Sequence, residues 1–78
     1  MTTGTIAKLV TTFGSSWGRI AVAGRTREVF FNLASLKDPH EFAQLREGQE
    51  VEFEEIVEDV NRRHATAMTI SKVEQVKR

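Results

Sequence analysis

The feature that most limits the fold of this chain is its division into short β-rich segments separated by turn residues. The clearest segment is Glu50–Glu54, in which acidic and apolar residues alternate at a period of two, as in a strand with one solvated and one buried face. Thr5–Thr11 and His64–Ile70 are rich in β-branched residues, which favour strands. With Trp17–Val22 and Glu28–Leu33, the sequence predicts five strands.

One segment departs from this pattern and predicts a short helix between strands 3 and 4. Asp38 can cap exposed amides at a helix start, and Pro39 suits the first helical position. Phe42 and Leu45 are expected to anchor the helix to the core. Three strands, a short helix and two more strands form the order of an oligonucleotide-binding (OB) fold. We therefore predict an all-β, five-stranded OB-fold barrel.

The alternation also predicts which side chains are buried. Trp17 alternates with Ile20, and Phe30 with Phe31, so Ile20 and Phe31 should lie in the core. Trp17 and Phe30 are then expected on the outer surface. The same period predicts a shared face for three residues of the fifth strand: Thr66, Met68 and Ile70.

Length and composition predict a single domain over residues 1–78, with a core at about 4–73 and a polar tail at 74–78. The absence of cysteine excludes disulfides and cysteine-based zinc or redox sites. We expect a cytoplasmic monomer without a membrane segment. No catalytic constellation is evident, and His40 and His64 lack the company of metal ligands, so we predict a non-enzyme without a cofactor.

The charge distribution is more informative than the net charge, which is zero. Residues 1–46 carry six basic and three acidic side chains, a balance of plus three. Residues 47–59 carry seven acidic and no basic side chains, and residues 60–78 carry five basic and one acidic. A polyanion should therefore avoid the fourth strand and follow the first three.

Five stretches match motifs of a known family: Gly4–Ile6, Ser15–Ile20, Glu28–Leu36, Leu45–Phe53 and Ala65–Thr69. Through them the chain resembles the cold-shock domain from Gly4 to about Ile70. The fourth-strand segment, Glu-Gly-Gln-Glu-Val-Glu-Phe, matches best, and the two ribonucleoprotein motifs match least. The resemblance implies a passive protein that binds single-stranded RNA or DNA as an RNA chaperone or as a regulator of transcription or translation.

Carried over by position, the resemblance implies a binding face with fewer rings than the family has. Trp17 and Phe30 retain aromatic rings on which bases can stack. Arg19 stands where the family has an aromatic residue, and Asn32 where it has histidine. Leucine replaces phenylalanine at position 33, and either Lys8 or Leu9 stands in place of a tryptophan. An arginine side chain can still stack on a base, and an asparagine side chain can form a hydrogen bond with the edge of a base.

The predicted nucleic-acid-binding set has nine members: Lys8, Phe13, Trp17, Arg19, Arg25, Arg27, Phe30, Asn32 and His64. Its four lysine and arginine side chains are expected to contact phosphates. Phe13 is either a displaced stacking ring or a core anchor. His64 is either a polar contact beside the bound strand or a solvated residue at a strand end.

Two alternatives remain open from the sequence. Phe13-Gly14 and the segment 57–71 are similar to the RNA-binding barrel repeated in a large ribosomal protein. Loss of several rings instead favours an OB module that binds a protein partner, with the acidic fourth strand facing a basic surface.

Overall fold

Five strands close into a barrel in the computed structural model, which describes residues 1–12, 14–59 and 62–71. The strands are β1 (Thr2–Thr12), β2 (Ser15–Ala21), β3 (Val29–Asn32), β4 (Glu50–Asp59) and β5 (Arg62–Ile70). Their order around the barrel is β1-β2-β3-β5-β4, and β4 pairs back onto β1. All pairs are antiparallel except β3 with β5. This arrangement confirms the predicted all-β, five-stranded barrel.

The connection between β3 and β4 contains two 3-10 helices, Leu33–Ser35 and Pro39–Gln44, instead of one α-helix. Asp38 caps the second helix as expected, accepting a hydrogen bond from the backbone N–H of His40 at 3.1 Å. Phe42 and Leu45 are buried, as the sequence predicts. The connection therefore contributes apolar side chains to the core of the barrel.

The core is formed by inward-facing residues of every strand and of the connecting helices. Ile20 and Phe31 are fully buried, while Phe30 is 37% exposed, so the predicted orientation of β2 and β3 is confirmed. Val51 and Phe53 are also buried, in agreement with the alternation in β4.

The predicted face of β5 is wrong at one residue. Ala65 and Met68 are the buried residues of this strand, three positions apart, whereas Thr66 is only partly buried. The register between β4 and β5 shifts at this point, and Ala67 adopts a positive φ of 50°. A bulge adds one residue and reverses the inside-outside alternation. Thr66 therefore does not lie on the face of β5 that Met68 occupies.

Position 18 in β2 requires glycine, because neighbouring atoms approach Gly18 closely. A Cβ atom at this position would lie 2.4 Å from the carbonyl oxygen of Lys8 and 2.6 Å from the Phe31 ring. Only glycine lets β1 and this ring pack so tightly against β2. The outward residues on either side of Gly18, Trp17 and Arg19, consequently lie on a strand that is tightly packed against β1 and Phe31.

Candidate nucleic-acid interface

The register of the sheet brings most of the predicted binding residues onto one outer face. Directly paired residues share a face, and two rows cross β1, β2 and β3. The first row contains Val10, Trp17 and Asn32. The second contains Lys8, Arg19 and Phe30 and continues to β5 and β4: His64 and Ile56. We call the outer surface formed by these two rows, between Lys8 on β1 and His64 on β5, the ring face.

Three aromatic side chains form a continuous series on the ring face. The centroids of the Trp17 and Phe30 rings are 5.9 Å apart, with an interplanar angle of 23°. The His64 ring lies 5.5 Å from Phe30 at a tilt of 54°. Trp17 and His64 are partly exposed and Phe30 is exposed, so each ring has surface that the core does not use. Such a series is suited to stacking flat groups.

Positive charge flanks this series on the β1 side. Lys8 and Arg19 are direct cross-strand partners on the ring face, and like charges in this position are unfavourable. The Arg19 guanidinium lies 5.7 Å from the centre of the Trp17 ring, within range of a cation–π contact. Its ion pair with Glu28 is long, at 3.6 Å, and both side chains are well exposed. An anion placed between Lys8 and Arg19 would relieve their repulsion.

Asn32 ends β3 beside the rings and is exposed. Its Oδ1 accepts a hydrogen bond from the backbone N–H of Ala34 at 3.0 Å, which caps the first 3-10 helix. The hydroxyl of Ser35 accepts a hydrogen bond from the backbone N–H of Asn32, also at 3.0 Å. The bond from Ala34 holds the Asn32 side chain, and the bond to Ser35 holds its backbone, beside the cross-strand partner Trp17.

Two adjoining depressions open at this end of the ring face. One, of about 360 Å³, is lined by Trp17, Phe30, Asn32 and two serines: Ser15 and Ser16. The other, of about 500 Å³, shares Asn32 and both serines and extends over the first 3-10 helix. The sequence predicts that the second strand starts at Trp17, but β2 begins two residues earlier, at Ser15. Gly14, with a φ of 78°, permits the tight turn that lets the strand start early.

Arg25 lies apart from the ring face and is bound to Glu55. Its two terminal nitrogens donate to the two carboxylate oxygens at 2.7 and 3.0 Å. Arg63 donates to the same carboxylate at 3.0 Å, and the Thr2 hydroxyl at 2.6 Å. We call these four residues the Glu55 cluster. The Glu55 side chain is only 11% exposed, so its charge is well enclosed by these donors.

The hydrogen bonds of the cluster change the acidity of its groups. The bonds from Arg25 are the main reason that the pKa of Glu55 falls from 4.5 to about 2; burial opposes this change, and the bonds from Thr2 and Arg63 support it. The same contact raises the pKa of Arg25. Glu55 and Arg63 were not among the predicted site residues, because their proximity depends on how β4, β5 and the β2–β3 loop meet in space.

Three predicted residues remain to be placed: Arg27, Phe13 and His64. Arg27 is exposed in the β2–β3 loop, outside the two rows of the ring face. Phe13 lies outside the described residues. His64 lies on the ring face, with its Nδ1 3.3 Å from a carboxylate oxygen of Glu58. Ile56, which is 48% exposed and pairs with His64, could not be predicted as part of this face, because a bulge in β5 sets the pairing of the two strands.

No protein-family model matches this sequence, and no curated protein sequence matches it either. Among residues 1–12, 14–59 and 62–71, no group of three or more His, Asp or Glu side chains could hold a metal ion. Over the same residues, no helix has the length and apolar character needed to cross a membrane.

Proposed function

We propose that this protein binds single-stranded RNA or DNA on its ring face, in the manner of a divergent cold-shock domain. The observation that carries the proposal is the series of Trp17, Phe30 and His64 rings on one outer face of the barrel. Stacking of a base on an aromatic ring contributes about 1 to 3 kcal/mol and tolerates any base. Two or three such contacts give useful affinity without a strongly basic surface.

The charges around the rings support a polyanionic ligand. Lys8 and Arg19 are direct cross-strand partners, the ion pair of Arg19 with Glu28 is long at 3.6 Å, and Lys8 forms no ion pair with the residues that the structure describes. A phosphate bridging these side chains would remove an unfavourable like-charge pair. The mechanism is passive: an extended strand held on the sheet cannot pair with itself, so binding disfavours RNA secondary structure without nucleotide hydrolysis. Such an activity suits an RNA chaperone or a regulator of transcription or translation.

Trp17 provides a direct test, because it is the only tryptophan in the chain. Its fluorescence is expected to quench saturably when a single-stranded oligonucleotide is added at low salt, since a stacked base contacts the indole. A duplex of the same sequence serves as the control and should quench less, because its bases are already stacked and paired. Absence of quenching by both RNA and DNA single strands would overturn the proposal and favour the protein-binding alternative.

A further inference from the structure

Glu28, which directly precedes β3, brings a carboxylate into the positively charged part of the ring face. From its contacts we infer that this carboxylate competes with the bound strand: in the free protein it pairs with the Arg19 guanidinium that a backbone phosphate pairs with in the complex. Binding then exchanges one anion for another, so Glu28 limits the affinity for single strands. The inference rests on the proposed function and adds an inhibitory residue to the same site.

The ion pair between Glu28 and Arg19 is one that a ligand can displace. Oε1 of Glu28 lies 3.6 Å from Nε of Arg19, which is too far for a hydrogen bond. The Arg19 and Glu28 side chains are 45% and 38% exposed, and exposed ion pairs contribute little to stability. By contrast, Glu55 holds Arg25 through two hydrogen bonds of 2.7 and 3.0 Å. Of these two arginines, Arg19 is therefore the one whose partner can be exchanged for a phosphate.

The depression beside Glu28 gives a second, independent observation. Its volume is about 220 Å³, and it is lined by five residues: Glu28, Phe30, Arg62, Arg63 and His64. Glu28 is the only acidic residue of these five. Arg63 is already bonded to Glu55, so Arg19 and Arg62 are the guanidinium groups nearest to Glu28 that remain for an anion. The carboxylate thus lies where positive charge meets the exposed Phe30 ring, as a phosphate next to a stacked base would.

The fold does not depend on the Glu28 carboxylate. The residue is exposed, and its side chain forms no hydrogen bond with the residues that the structure describes. Glutamine has nearly the same size and shape, so Glu28→Gln removes the charge without opening a cavity or leaving a buried group unpaired. Substitutions at such surface positions change stability little. An effect of this variant on binding therefore reports on the charge.

Removal of this charge is expected to strengthen binding. Two costs of binding disappear: the ion pair with Arg19 no longer has to be broken, and a carboxylate no longer repels the nearest phosphate. Together they correspond to a decrease in Kd of about 3- to 10-fold at low salt. Salt screens both interactions, so the gain in affinity should become smaller as the salt concentration rises.

The test compares the affinities of the wild type and Glu28→Gln by fluorescence anisotropy. The probe is a labelled single strand of about eight thymidines, a length within the site size of an OB fold. Glu50→Gln is the matched control, because it removes the same charge from an exposed residue that pairs with Thr5 and lies outside the two rows of the ring face. Its Kd should change by less than about 2-fold. Both variants should keep the wild-type midpoint of urea unfolding.

The competition for Arg19 is tested in an Arg19→Ala background. Without the guanidinium there is no shared partner, so Glu28→Gln should strengthen binding less in Arg19→Ala than in the wild type. An equal gain in both backgrounds, or a gain no larger than that of Glu50→Gln, would overturn the inference and leave the proposed function standing. Weaker binding by Glu28→Gln would also overturn it, since the carboxylate would then contact the strand. If neither the wild type nor Glu28→Gln binds a single strand, the proposed function fails and the inference fails with it.

Discussion

The ring face and the Glu55 cluster both contain arginine, but they use it in opposite ways. On the ring face, Arg19 lies against Trp17 with a loose ion pair, at 3.6 Å, and an exposed side chain. In the cluster, Arg25 makes two short bonds to a carboxylate that is 11% exposed. The first arginine is available to a ligand, whereas the second is already satisfied within the protein.

The difference shows why charge sign alone does not identify a binding residue. A satisfied arginine stabilises the fold, and its removal takes away part of the hydrogen bonding of a largely buried carboxylate. An exposed arginine with a long ion pair contributes little to the stability of the fold. The ring face should therefore determine affinity, and the Glu55 cluster should determine stability.

The largest expected effect follows removal of a ring. Trp17→Ala or Phe30→Ala should weaken single-strand binding by about 1 to 3 kcal/mol, because each ring stacks on a base. Binding is measured by anisotropy of a labelled oligonucleotide, which does not depend on tryptophan emission. Val57→Ala, which removes an apolar side chain that is 54% exposed away from the rings, is the control and should bind normally. Wild-type affinity in both ring variants would place the ligand on another surface.

The second effect is on stability. Glu55→Gln should lower the free energy of unfolding by about 1 to 2 kcal/mol, since Arg25 and Arg63 lose a charged acceptor but remain partly solvated. Urea unfolding followed by Trp17 fluorescence measures the change. Glu54→Gln alters the charge equally at an exposed neighbour and should change stability by less than about 0.5 kcal/mol. An equal change in the free energy of unfolding for both variants would show that the Glu55 cluster does not stabilise the fold.

The third expectation is a pH dependence of that stability difference. The pKa of Glu55 is lowered to about 2 in the folded protein, so between about pH 4.5 and 2 the unfolded chain binds more protons at this residue. Stability from Glu55 is thus complete above pH 4.5 and is lost as the pH falls toward 2. The difference in the free energy of unfolding between the wild type and Glu55→Gln, measured by urea unfolding, should therefore become smaller as the pH falls through this range. A constant difference would contradict the depressed pKa.

The smallest effect distinguishes the two arginines in binding. Arg19→Ala should reduce the slope of log affinity against log salt by about 0.7, the value for one phosphate contact with a single strand. Arg25→Ala should leave this slope unchanged, because its guanidinium is engaged by Glu55. Titrations at several salt concentrations measure both slopes. A reduced slope in Arg25→Ala alone would reverse the assignment of the two residues.

Much of the fold could be predicted from local sequence, because alternation and turn residues are local properties. The five strands, the Asp38 cap and the burial of Phe31 follow from such patterns and are confirmed. The face of Thr66 could not be predicted, since a bulge with a positive φ at Ala67 reverses the alternation.

The candidate site shows the same limit. Trp17 and Phe30 were expected outside by alternation alone, and their orientation is confirmed. The partner of Arg25 lies 30 residues away along the chain, and pairing at that distance depends on tertiary structure. The orientation of the Asn32 side chain likewise depends on the 3-10 helix that it caps, which the local sequence pattern does not predict.

Chemical-shift mapping on the labelled protein tests the division between the ring face and the Glu55 cluster most directly. On addition of a single-stranded oligonucleotide, the indole N–H of Trp17 and the backbone amides of Arg19, Phe30 and Asn32 should shift progressively. The amides of Arg25 and Glu55 should stay in place. Shifts concentrated at Arg25 and Glu55, with the Trp17 indole unchanged, would contradict the account.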